Sequence, residues 1–145
     1  MKEIVLKTAS AEDMEKVREF YVEQNYPFGV DPGCTIVLAQ TEHEIVGVVR
    51  VCTEHGVLVL RGMQIKPEFQ RKGLGSKMLS ELKGVLEGKE CFAIPYAHLE
   101  GFYRQAGFKK IEDREAPKFL EERVACYREK HQERGYIIIK KPADI

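Results

Sequence analysis

The stretch Gln70-Arg71-Lys72-Gly73-Leu74-Gly75-Ser76-Lys77 constrains the chain more than any other, because of what stands on either side of it. Before it, Val57-Leu58-Val59-Leu60 and Met63-Gln64-Ile65 read as a buried strand that breaks at Lys66-Pro67. After it, Leu74, Met78, Leu82 and Val85/Leu86 recur at helical spacing and form one apolar face. A strand, a short basic loop with two glycines and a helix thus follow one another directly. The start of a helix offers unpaired N–H groups and the positive end of the macrodipole. Glycine lets those groups approach an oxygen closely, since no Cβ intervenes. The stretch predicts a phosphate-binding turn.

Two common phosphate loops do not fit. A nucleotide-triphosphate loop requires G-x-x-x-x-G-K-[ST], and the glycines here are wrongly spaced. A dinucleotide fingerprint requires G-x-G-x-x-G, but Met78 stands at its third glycine. The pattern Q/R-x-x-G-x-G/A does fit, filled by Gln70, Gly73 and Gly75. One strand and one helix further on comes Phe102-Tyr103-Arg104-Gln105-Ala106-Gly107-Phe108, an F-Y-x-x-x-G-F motif. With both motifs in this order the chain resembles the GNAT superfamily of acyl-CoA N-acyltransferases. The other reading is a Gly-rich turn and a core Tyr in some unrelated α/β domain.

The resemblance implies an α/β (α+β) domain over residues 1–145, a central mixed and mostly antiparallel sheet of about six to seven strands flanked by helices. It also implies acetyl-CoA as cosubstrate and no metal. In that family the glycine loop wraps the coenzyme's pyrophosphate. Here that assigns the backbone N–H groups of Arg71, Lys72, Gly73, Leu74, Gly75 and Ser76, with Gln70 opening the motif and Ser76 Oγ as a further donor. The backbone of Met63, Gln64 and Ile65 would pair with the pantetheine arm as another strand would. One N–H there, that of Ile65, is the candidate to polarise the thioester oxygen.

Length and composition agree with this. The 145 residues match a common single-domain size. Lys plus Arg and Asp plus Glu both number 23, so no net field draws the chain to nucleic acid or an acidic membrane. No apolar run approaches a membrane span, and the opening Met-Lys-Glu-Ile-Val lacks a signal-peptide layout. Cys34, Cys52, Cys91 and Cys126 form no C-x-x-C pair, so they read as reduced thiols in a cytoplasmic protein, with a catalytic thiol as the alternative. The four histidines are scattered and indicate no metal site.

In chain order, Ile4–Lys7 is a first strand. Ser10 and Asp13 then suggest a capping box before a helix whose face carries Met14, Val17 and Tyr21. Asn25 to Gly33 is a turn-rich loop with two aromatics, which in the GNAT fold borders the acceptor site; an ordinary connection is the alternative. Thr35–Gln40, Ile45–Cys52 and Val57–Ile65 predict an antiparallel meander, with turns at Thr41–Glu44 and Thr53–Gly56. A four-residue second turn sets Cys52 opposite Val57 and Arg50 opposite Val59, leaving Arg50 and Arg61 diagonal on one face. Gly62 is where a bulge could break the pairing. A short strand at Cys91–Ile94, a helix from His98 to Gln105 capped by Gly107, and a strand Phe108–Ile111 follow, which suggests parallel pairing of the fourth and fifth strands. Pro117 then opens an extra helix with Leu120, Val124, Tyr127 and His131 as its stripe, before a last strand Tyr136–Lys140. That helix could cover the acceptor site or cap the sheet.

Acetyl transfer to an amine also needs a proton for the leaving thiolate. Tyr103 is the candidate, since a phenol titrates near a thiol, at about 10; a ring filling core is the alternative. The general base stays unassigned among Glu54, His55, His98, Glu100 and water, because Val57–Ile65 holds no carboxylate. Tyr96 stands where many relatives carry an Asn that contacts the coenzyme. Arg50 and Arg61 are candidates to hold the carboxylate of an amino-acid-like amine, unless each pairs with a surface Glu or faces water. The expected partner is a small amine acceptor, with a peptide or protein acetyltransferase and a non-catalytic acyl-CoA sensor as alternatives. A homodimer is compatible with all three.

Overall fold

Strands rich in Val and Ile and helices with one apolar stripe leave few ways to bury both. In the computed structural model, which describes residues 3–26, 33–131 and 135–143, they give a mixed α/β chain of seven strands and four helices. It divides into two compact units, Met1–Val85 and Leu86–Ile145.

In the first unit β1 (Val5–Thr8), β2 (Thr35–Gln40), β3 (Ile45–Glu54) and β4 (Val57–Ile65) pair antiparallel in chain order. Helix α1 (Met14–Glu23) is opened by Asp13, whose carboxylate accepts from the Ser10 N–H at 2.8 Å and the Ser10 hydroxyl at 3.0 Å. It packs Val17, Phe20 and Tyr21 against Ile36, Leu38, Ile45 and Val48. Helix α2 (Leu74–Val85) buries Leu74, Met78, Leu79 and Leu82. Each such side chain contributes about 1.5–3 kcal/mol through burial. Met78 lies so near β3 that a Cβ on Gly47 would come within 2.9 Å of its sulfur.

The β3–β4 turn differs from the expected four-residue loop. Glu54 pairs with Val57, so only His55 and Gly56 turn the chain. Both are left-handed, with φ of 49° and 81°, which suits the twist of a tight hairpin. Every partner from the turn as far as Arg50 therefore moves by two residues. Cys52 faces Val59, and Arg50 faces Arg61 directly.

The cysteines require a second correction. Cys34 and Cys52 form a disulfide, with Cα atoms 4.3 Å apart, while Cys91 and Cys126 are free. A one-residue bulge between Ala39 and Gln40 shifts the β2–β3 register so that Thr35 faces Val51. One step further out, this sets Cys34 opposite Cys52.

In the second unit β7 (Ile138–Lys141) lies between β5 (Cys91–Ala93) and β6 (Lys109–Ile111), antiparallel to both. Helix α3 (Glu100–Arg104) precedes β6, and α4 (Lys118–Lys130) is the extra helix before the last strand. Leu120 and Val124 are buried and Tyr127 half-buried, but His131 is exposed, so the expected stripe ends one turn early. Arg128 pairs with Asp113 and donates to the Tyr136 carbonyl at 2.9 and 3.2 Å. That fixes α4 to the chain entering β7. No helix among the described residues is long and apolar enough to cross a membrane.

Candidate active site

The glycine loop is held at both ends. Lys66 at the end of β4 donates its N–H to Val46 O at 2.9 Å, and its ammonium lies 3.3 Å from Glu44 and 3.7 Å from Glu23. Pro67–Phe69 then form a 3₁₀ turn. Gln70 reaches back to donate from its side-chain amide to Ile65 O at 2.8 Å. Arg71 and Gly73 are left-handed, at φ 62° and 82°. A bend of this kind, alternating about a helix start, turns successive amides toward one point. The first ladder bond of α2 runs from Lys77 N–H to Gly73 O at 3.2 Å. The N–H groups of Leu74, Gly75 and Ser76 precede that ladder, as at any helix start. The space beside Gly73 is open, with no atom within 4 Å of where a Cβ would stand. Loop, amides and charge together fit a diphosphate. Arg71, Lys72 and Ser76 are exposed beside it.

Just before the loop, β4 bulges. Arg61 faces Arg50 but Gln64 faces Val48, so β4 carries one extra residue between these pairs. Gly62 lies in the bulge at φ 63°. A Cβ there would sit 2.7 Å from the Tyr21 hydroxyl and 3.1 Å from Arg50 Nε, so glycine is required twice over. The Tyr21 hydroxyl donates to Gly62 O at 2.8 Å. Met63, Gln64 and Ile65 follow directly and are half-buried.

Arg50 is 1% exposed. Its guanidinium lies 5.3 Å from the Tyr21 ring and 5.8 Å from the Tyr26 ring. Arg61 lies 3.7 Å from Glu54. The sequence placed the two arginines diagonally; the register puts them face to face. Burial pushes the Tyr21 phenol well above its ordinary range, against a smaller opposing effect of Arg50.

In the second unit Tyr103 is 5% exposed, its ring edge-on to Phe102 and Phe108 with centroids at 5.1 and 6.2 Å. Gly107 caps the segment at φ 91°. Tyr96 stacks on His98 at 5.8 Å and tilts against Tyr136 at 5.0 Å. Glu100 is paired with Arg104 at 2.8 Å. His55 is exposed in its turn. Of the Asn25–Gly33 loop, residues 27–32 lie outside the described residues. Sequence reading took Tyr21 only as a core residue and did not foresee Gln70 as a clamp. A Tyr on a buried helical face, whose hydroxyl needs a partner, was the available signal for the first.

The profile of the Acetyltransferase (GNAT) domain family matches residues 32–110. No curated protein sequence matches the chain. Among solved structures, Escherichia coli ElaA superposes with a TM-score of 0.66 at 17% identity, covering 98% of this chain and 100% of ElaA. N-acetylglutamate synthase from Neisseria gonorrhoeae, solved with coenzyme A and N-acetyl-glutamate, gives 0.65 at 14% identity over 100% of this chain and 36% of its own. An acyl-CoA N-acyltransferase from Pseudomonas aeruginosa gives 0.65 at 14% identity, covering 98% and 100%. These likenesses concern the fold, whereas the family profile spans more than half of the sequence and includes the whole glycine loop. The chain belongs to the GNAT acetyltransferase family.

Proposed function

We propose that the protein moves the acetyl group of acetyl-CoA to the primary amine of a small, amino-acid-like metabolite by direct attack. The supporting observation is the seat made by the β4 bulge and the α2 start, joined through the Gln70–Ile65 hydrogen bond. In this reading the amides of Arg71 to Ser76 take the diphosphate, and the backbone of Met63 to Ile65 takes the pantetheine arm. The amine nitrogen attacks the thioester carbonyl carbon, the Ile65 N–H steadies the oxyanion, and the carbon–sulfur bond breaks. Tyr103 gives its proton to the departing thiolate. Strand β4 carries no carboxylate, so the amine's proton goes to a base off that strand, one of Glu54, His55, His98, Glu100 or water.

Arg50 and Arg61 are proposed to hold the acceptor carboxylate. The support for this is their placement directly opposite each other across β3 and β4, which sets side by side two guanidinium groups, each able to bind a carboxylate bidentately. A thiol-release assay with a panel of amino acids, simple amines and peptides tests this. Turnover is expected with α-carboxylated amines; preference for peptides, or for amines lacking a carboxylate, would refute the acceptor class. Absence of coenzyme A binding by calorimetry would refute the donor.

A further inference from the structure

We propose that Tyr21 is a positioning residue for the acyl donor: its hydroxyl, bonded to Gly62 O, holds the β4 bulge that presents Met63–Ile65 to the pantetheine arm. The inference rests on the proposed donor seat and deepens it. A bulge interrupts the ladder locally and leaves backbone groups in need of other partners. Tyr21 supplies one such partner from another element, α1, at 2.8 Å. The bulge also decides which way β4 faces beyond it. Arg61, opposite Arg50, and Gln64, opposite Val48, share a face although they are three residues apart. Removing the extra residue would reverse Met63, Gln64 and Ile65, since a one-residue slip turns every side chain over.

The bulge is packed on the side of Tyr21 and Arg50. Tyr21 is 2% exposed, and Arg50 packs across its ring. The space over Gly62 is filled by the Tyr21 hydroxyl and Arg50 Nε. The hydroxyl remains a donor through the neutral range, because burial raises the phenol's pKa.

Calorimetry on intact protein, with coenzyme A and with 3′-phospho-ADP, tests the inference. The second ligand has the nucleotide and diphosphate but no arm. Tyr21→Phe is expected to weaken coenzyme A roughly threefold to tenfold, the loss typical of one hydrogen bond, and to leave 3′-phospho-ADP unchanged. In steady state, KM for acetyl-CoA should rise with kcat less affected. Equal loss of both ligands, as from general loosening, or no loss of either, would overturn the inference while the donor reading stands. Wild-type protein that binds neither would overturn the donor reading and this inference with it. Should Tyr21→Phe fail to fold, Gly62→Ala serves instead: a Cβ there meets the Tyr21 hydroxyl, so the same selective loss is expected, and retained coenzyme A affinity would overturn the claim.

Discussion

Arg50 stands directly opposite Arg61 across β3 and β4, yet the two guanidinium groups take different partners: Arg50 the rings of Tyr21 and Tyr26, Arg61 the carboxylate of Glu54. Like charges placed so repel, and these partners offset the repulsion in separate ways. Arg50 is almost fully buried, whereas the Arg61 side chain keeps 18% exposure. In the proposed reading Arg61 is therefore the one the acceptor carboxylate would meet first.

Replacing Arg61 by Ala should raise the acceptor KM about tenfold or more, the scale of a hydrogen bond to a charged group. Acetyl-CoA affinity should hold. Steady-state kinetics with each substrate varied in turn measures both, and no change in either would remove Arg61 from acceptor binding.

Tyr103→Phe should lower kcat by roughly a hundredfold or more if its proton goes to the thiolate, the usual scale of general acid catalysis. The ring's edge-on contacts with Phe102 and Phe108 survive the substitution, so coenzyme A affinity and melting temperature should change little. Unaltered turnover would leave the ring as packing alone.

The Cys34–Cys52 bridge closes a loop of 18-residue separation. Reduction, or Cys34→Ser, should cost about 3 kcal/mol on the chain-entropy account, lowering the melting point by roughly 6–12 °C for a domain of this size. Alkylation of the unreduced, denatured protein should label Cys91 and Cys126 alone. Labelling of all four cysteines without reductant would contradict the bridge.

Tyr21 should leave a mark on alkaline stability. Burial raises its folded pKa above the unfolded value of about 10. Below that value both states hold the proton and no pH dependence arises. Above it the unfolded chain releases a proton that the folded chain keeps, so stability falls as pH rises, by up to about 1.4 kcal/mol per unit. Denaturant midpoints measured from about pH 9 to 11 should show this slope, and Tyr21→Phe should flatten it.

Gly73→Ala should cost about 1–2 kcal/mol, because φ there is left-handed and a Cβ strains that region. The open space beside it excludes a clash with the protein. A loss of coenzyme A affinity larger than this backbone strain explains would show that the methyl occupies ligand space; calorimetry with thermal melts separates the two.

Much of this was legible in the sequence because it depends on local chemistry. Two glycines at a helix start, the spacing of Leu74, Met78 and Leu82, and Pro117 opening α4 each act within a few residues. What escaped reading depends on register. The bulge at Ala39/Gln40 brings Cys34 opposite Cys52, and the two-residue turn at His55-Gly56 moves Arg50 from Val59 to Arg61. A single inserted or omitted residue in a ladder changes every partner beyond it, and composition does not reveal where that occurs. The Tyr21 hydrogen bond to Gly62 spans 41 residues and was invisible for the same reason.

The Gln70 side chain, fastened to Ile65 O, makes strand end and loop a single lever. On the proposed donor seat, an arm drawn onto the strand end then braces the loop behind it, so the two halves of intact coenzyme A are felt together, whereas a ligand lacking the arm is untouched by changes at the bulge. Mutational penalties at the arm and at the diphosphate should consequently fail to sum. A double-mutant cycle between Gly62 and Gly73 would register that coupling, and cutting the tether with Gln70→Ala should restore independence.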